Sequence, residues 1–235
     1  MAIRAWPVLL ALGCASEPLS PTGSAPEVNA SPTATATAPT PSDDSPFQPV
    51  AVYPAGPYGR GVGAVVENLS FLGWHDPVAS GYDPALLEMV SFSDFYDPTG
   101  TEVKLIVLNA SAIWCGFCQA EMRDMKANGT DAKYRTKGVR VIGTLFQDGQ
   151  ALPAKPDDLR VWGSVPAHSI TFPLLLDPGL KAGVYFTSDA TPLNLIIDAT
   201  TMRIVRAVMG YDNSPTSGFW AIVDQELARR GVSAP

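Results

Sequence analysis

From residue 62 onward, short apolar runs alternate with amphipathic stretches, which is the pattern of an α/β domain. Residues 104–110 (Lys-Leu-Ile-Val-Leu-Asn-Ala) and 139–146 are compact apolar runs of the kind buried in central strands. Between them, residues 118–128 have helical character, and Asn128-Gly129 supplies a stop. Strand, helix, strand at this spacing predicts a βαβ unit. Residues 156–165 offer a second helix, with Asp157 and Asp158 suited to its first turn. Residues 172–177 form another apolar stretch. Residues 193–197 and 203–208 predict two strands joined by the turn Asp198-Ala199-Thr200-Thr201. Residues 219–229 predict a closing helix, with Arg229 and Arg230 near its end and Gly231 after it. Ahead of the βαβ unit, residues 62–72 contain strand-like residues, and 86–95 a further strand or short helix. The order is α/β with a terminal antiparallel hairpin.

The first 58 residues follow other rules. Residues 1–14 carry one positive charge at Arg4, a short apolar run and Leu12-Gly13-Cys14. The run is too short for a membrane-spanning helix, which takes about 20 apolar residues. It fits the apolar region of a secretory signal. The Leu12-Gly13-Cys14 ending resembles a bacterial lipobox, which implies that Cys14 is a lipid attachment site and that the protein is held on a membrane through that anchor. Residues 15–58 are rich in Ser, Thr, Pro and Ala, including an alternating Thr/Ala ladder over 33–38. Such a stretch buries too little surface to offset its ordering entropy, and its prolines favour extended conformations. It is expected to be a disordered tether to a domain spanning 59–235.

Composition narrows the function. The 235-residue chain is 46% hydrophobic, enough for a real core, and its net charge of −7 lacks the basic footprint of a nucleic-acid binder. With 3 cysteines, a disulfide scaffold is excluded, and one cysteine is left over from any pair.

The chemistry concentrates at Trp114-Cys115-Gly116-Phe117-Cys118, set between an expected strand and an expected helix. Orphan N–H groups and the helix macrodipole stabilise negative charge at such a position. A thiolate placed there can have its pKa lowered from ~8.5 into the ~3.5–7.5 range. Cys115 is therefore the expected nucleophile, and Cys118, one turn further in, the resolving thiol. A purely structural disulfide, or half of a zinc site, uses the same spacing. Structural zinc commonly needs a second cysteine pair or two histidines, and His75 and His168 are far from the motif and from each other in sequence. No metal site is expected, and no dinucleotide, phosphate-loop or triad signature is present.

With these residues in place, the sequence over 62–232 resembles the thioredoxin superfamily, and within it the membrane-tethered TlpA/ResA-like thiol–disulfide oxidoreductases. The resemblance rests on the strand and loop running into Trp114-Cys115, on Glu121 three residues after Cys118, and on Phe172-Pro173 through Asp177. It also rests on Ala190-Thr191-Pro192 followed by the Leu193–Asp198 segment, with Gly210 after the next strand. It implies a thioredoxin-like fold: a central mixed β-sheet flanked by helices, with an N-terminal β extension and a central strand–helix insertion. It implies a cis Thr191-Pro192 bond packed near Cys115, and substrate contacts from Trp114, Phe117, Thr191 and Pro192. Asn109 stands where thioredoxins carry a buried aspartate, and Asn cannot take a proton. Glu121 is the candidate substitute, because i to i+3 places it on the Cys118 face of the helix. The other reading of Glu121 is an ordinary solvated helix carboxylate. Trp114 is expected to be part pocket wall and part core.

The resemblance further implies an extracytoplasmic enzyme on the periplasmic face. Its redox disulfide Cys115–Cys118 acts on thiols or disulfides of exported proteins, with a membrane electron donor and no external cofactor. Competing readings are a peroxidase-like redoxin and a non-enzymatic copper- or haem-handling thiol module.

Overall fold

A computed structural model describes residues 52–235. The expected signal, Cys14 and the part of the expected tether up to residue 51 lie outside the described residues. Seven strands form one mixed sheet, in the order β2-β1-β5-β4-β3-β6-β7. They are β1 (Ser70–Trp74), β2 (Glu88–Ser91), β3 (Leu105–Ala112), β4 (Val139–Gln147), β5 (Leu174–Leu176), β6 (Leu193–Asp198) and β7 (Arg203–Met209). Helices α1 (Gly116–Asn128) and α2 (Thr130–Arg135) connect β3 to β4. Helix α3 (Pro156–Ser164) precedes β5, and α4 (Phe219–Arg229) closes the chain.

The expected βαβ unit is β3–α1–α2–β4, with its strands parallel and in register from Leu105↔Val139. The expected hairpin is β6–β7, antiparallel, with β6 also antiparallel to β3. Alternation along β3 sorts its side chains onto two faces. Leu105 and Val107 join a core with Met122 of α1, Leu159 of α3 and Val223 of α4. Ile106, Leu108 and Ala110 join a second core with Val66, Phe71, Phe92 and Tyr185. Asn109 and Ser111 share the parity of Val107, so the two polar residues of β3 point toward the α1 side.

Two boundaries differ from the sequence reading. Within 62–72, only Ser70–Trp74 is a strand. Val65 and Val66 are buried, and Val66 donates its N–H to the Met202 carbonyl, so these β-type residues serve as a packed loop. Within 86–95, the strand Glu88–Ser91 gives way to a 3₁₀ turn, Phe92–Phe95, that buries both phenylalanines. Strands β1 and β2 form the N-terminal extension. It attaches to the central insertion through β1–β5 pairing, Leu72↔Leu176. Tyr53, in the segment before residue 59, donates its hydroxyl to the Val66 carbonyl at 3.0 Å.

Candidate active site

Strand β3 ends at Ala112, and the chain turns through Ile113 and Trp114 into α1. Cys115 is the N-cap of that helix, with extended backbone at φ −80°, ψ 110°. Its carbonyl accepts the Gln119 N–H at 3.1 Å, and its sulfur accepts the Cys118 N–H at 3.0 Å. The sulfur thus takes the place that a Ser or Asp oxygen holds in an ordinary cap. Orphan helix N–H groups are thereby aimed at the atom that bears charge in the thiolate. Cys115 and Cys118 form a disulfide. Cys118 is fully buried, whereas Cys115 retains 3% exposure and lines a groove. Only the first sulfur is therefore open to a substrate.

The Thr191-Pro192 bond is cis. The Thr191 carbonyl oxygen lies 3.7 Å from Cys115 Sγ, and the Thr191 hydroxyl 3.6 Å from Cys118 Sγ, so one residue braces both sulfurs. Behind this loop, Gly210 has φ +77° and donates its N–H to the Pro192 carbonyl at 2.8 Å. That left-handed conformation disfavours a side chain. The groove between the two loops has a volume of about 500 Å³ and is lined mainly by apolar groups, with Phe117 and Met209 among them.

Trp114 is 46% exposed and Phe117 65% exposed. Trp114 donates its indole N–H to Gln147 Oε1 at 2.9 Å. The expected core share of Trp114 is thus replaced by a surface role: Gln147 at the end of β4 holds the ring beside the groove. Phe172 and Tyr185 are buried in the two cores.

Glu121 is buried, so the solvated-carboxylate reading of it fails on geometry. One carboxylate oxygen accepts Asn109 Nδ2 at 2.7 Å, and the other accepts Asn194 Nδ2 at 2.8 Å. Asn109 Nδ2 also reaches Asn194 Oδ1 at 3.0 Å, and Ser111 donates its hydroxyl to Asn109 Oδ1 at 2.6 Å. Burial pushes the Glu121 carboxyl up to about 8, against the opposing pull of the Asn194 and Asn109 amides. The network ties β3, which leads into the motif, to α1, which carries it, and to β6, which follows the cis proline.

Asn194 was missed by sequence reasoning. Its signal is present nonetheless: an amide inside the buried run Leu193–Asp198 requires a partner. Asp177, at the end of the Phe172-Pro173 segment, is structural. It accepts the Lys181 and Ala182 N–H groups and caps the turn Lys181–Tyr185. His168 is buried, with Nδ1 3.1 Å from the Trp162 carbonyl, and His75 is half-exposed beside Asp94. Neither touches the cysteines. Among the described residues there is no cluster of three or more His, Cys, Asp or Glu able to hold a metal. Among them, too, no helix is long and apolar enough to cross a membrane.

No protein-family model matches the chain. Among curated proteins, it is 29% identical over 107 residues to the thiol–disulfide oxidoreductase ResA of Bacillus cereus. It is 30% identical over the same length to ResA of Bacillus anthracis. Each match takes in 46% of this chain and 56% of the relative, so the chain spans about half the length of the curated relatives it matches. Among solved structures, it is similar to a protein assigned as the thiol:disulfide interchange protein DsbE from Chlorobium tepidum. There the TM-score is 0.51 at 22% identity, covering 72% of this chain and 98% of the other. A hypothetical protein from Sinorhizobium meliloti gives a TM-score of 0.51 at 13% identity, covering 74% and 87%. The mixed sheet, the helix-capping cysteine pair facing a cis proline and these likenesses agree: the chain has a thioredoxin-like fold, and over about half their length it is similar to curated thiol–disulfide oxidoreductases of the ResA type.

Proposed function

We propose that this protein is a thiol–disulfide oxidoreductase that works outside the cytoplasm and reduces disulfides in exported proteins, of which apocytochrome c is an example. The observation that carries the reading is the Cys115 sulfur: capped by the Cys118 N–H at 3.0 Å, open to the groove and opposed by the cis Thr191-Pro192 loop.

In the dithiol state, the Cys115 thiolate attacks one sulfur of a substrate disulfide. A mixed disulfide forms and the other substrate sulfur leaves as a thiol. Cys118 then attacks Cys115 Sγ, the second substrate thiol leaves, and the Cys115–Cys118 disulfide closes. The substrate gains two electrons from the cysteine pair and two protons, one from Cys118 and one from solvent, which took up the proton released when Cys115 ionised. Cys118 must lose its proton to attack, yet it is fully buried. Glu121, one helical turn on, is the proton-holding residue. Burial raises its carboxyl to about 8, which makes it a stronger base than an ordinary carboxylate for taking a thiol proton. Trp114 and Phe117 offer apolar surface to the substrate beside Cys115, and the backbone of Thr191 and Pro192 faces its chain. No external cofactor enters, and a membrane protein that returns electrons to the pair completes the cycle.

The site of action rests on the sequence. Cys14 is the lipid attachment residue in this reading, and the Ser/Thr/Pro/Ala-rich stretch between it and the packed Tyr53 is the spacer. Equal incorporation of a labelled lipid precursor into the full chain and its Cys14→Ser variant would sink the anchor without touching the redox chemistry. The activity itself is tested by reduction of insulin under excess dithiothreitol. Turnover that disappears in Cys115→Ser is expected, and turnover surviving in that variant would end the reading.

A further inference from the structure

The groove that exposes Cys115 is apolar within and acidic at its rim. Trp114, Phe117, Val208 and Met209 supply apolar surface. Asp189 stands on the cis-proline side, two residues before Thr191, and Asp212 on the β7 side, two residues after Gly210. Both are exposed. The Asp212 carboxylate accepts only the Ser214 N–H, at 2.9 Å, and the Ser217 hydroxyl, at 3.4 Å. Neither aspartate is in an ion pair among the described residues. No Lys, Arg or His lines the groove. The chain as a whole carries a net charge of −7, which adds to the local field.

We propose that the groove selects cysteines set in cationic segments: an extended stretch of a partner protein with Lys or Arg within two or three residues of the reacting cysteine, and an apolar side chain next to it. This rests on the oxidoreductase reading above. An extended chain advances ~3.3 Å per residue, so flanking side chains a few residues from a sulfur at Cys115 reach both rims. Opposite charges there speed the encounter and lower the cost of docking, and like charges exclude the wrong segments. Because both carboxylates are exposed, the selection weakens with salt.

The test uses three symmetric peptide disulfides that differ only in the flanking residues: Lys, Gln or Glu. Each reacts in single turnover with the full chain in its dithiol form, giving two peptide thiols and the enzyme disulfide. The expected order of second-order rate constants is Lys, then Gln, then Glu. The Lys-to-Glu ratio is expected to be roughly tenfold or more at low salt and to shrink toward unity at ~1 M salt. The Asp189→Asn/Asp212→Asn double variant keeps the side-chain acceptor that Ser214 uses, and it is expected to bring the three rates together. Equal rates for the three peptides in the unmodified protein would overturn the charge selection and leave the oxidoreductase reading standing. A ratio that persists in the double variant would overturn the assignment to these two residues. No exchange with any peptide would remove the oxidoreductase reading itself, and this inference with it.

Discussion

Replacing Glu121 with Gln probes the buried network most sharply, because glutamine mimics a carboxyl that never ionises. Burial raises the folded-state carboxyl from 4.5 to about 8. The native protein therefore keeps a proton that the unfolded chain releases. The sign follows from linkage: this contribution to stability is complete below pH ~4.5, declines as pH rises toward about 8, and is constant above that. At ~1.4 kcal/mol per pH unit, the full decline is about 5 kcal/mol, a large fraction of the ~5–15 kcal/mol that holds a domain together. The variant lacks this decline. Urea unfolding of both oxidised proteins across that interval is expected to give nearly equal stabilities at the acid end. Toward pH ~9, the variant is expected to be the more stable by several kcal/mol. The difference between the two curves isolates Glu121, since His168, the Tyr211 hydroxyl bonded to Asp124 and other groups facing the helix are common to both. Parallel curves would refute the reasoning. They would mean that the paired amides of Asn109 and Asn194 hold the charge well enough to cancel the burial.

Other substitutions test neighbouring links. Asn194→Leu removes one amide from the carboxylate and orphans a buried oxygen; it is expected to cost about 1–3 kcal/mol in chemical denaturation. It is also expected to move the inflection of the exchange pH profile upward, which lost packing alone would not do. Gly210→Ala places a side chain at φ +77°; a loss of about 1 kcal/mol and slower exchange are expected from melting and insulin-reduction assays. Phe117→Ser removes a ring that is 65% exposed, so stability is expected to stay within about 0.5 kcal/mol while KM for an apolar peptide disulfide rises.

The sequence was most informative where a local rule operates. The β3 and β4 runs, the helix stop at Gly129 (φ +60°) and the β6–β7 turn are each set by neighbours a few residues apart. The cysteine pair, Thr191-Pro192 and Glu121 were legible because family resemblance added long-range information to short motifs. Contacts fixed only by the tertiary fold were not legible. Asn109 and Asn194 meet across 85 residues of sequence, and no period links them. The pairing of β1 with a β5 of three residues is equally invisible, because so short an apolar run has no diagnostic period. Trp114 lines the groove as expected, and only its expected core share fails, because the Gln147 side chain that holds it outward comes from another strand.

The central claim is that Cys115 attacks and Cys118 resolves. It is tested most directly by mixing the Cys118→Ser variant with a peptide disulfide and mapping the adduct by mass spectrometry. A stable mixed disulfide on Cys115 is predicted, with the matching Cys115→Ser variant giving essentially none, because its remaining thiol is fully buried. Equal adduct formation on Cys118 in the Cys115→Ser variant, or no adduct on Cys115, would contradict the account.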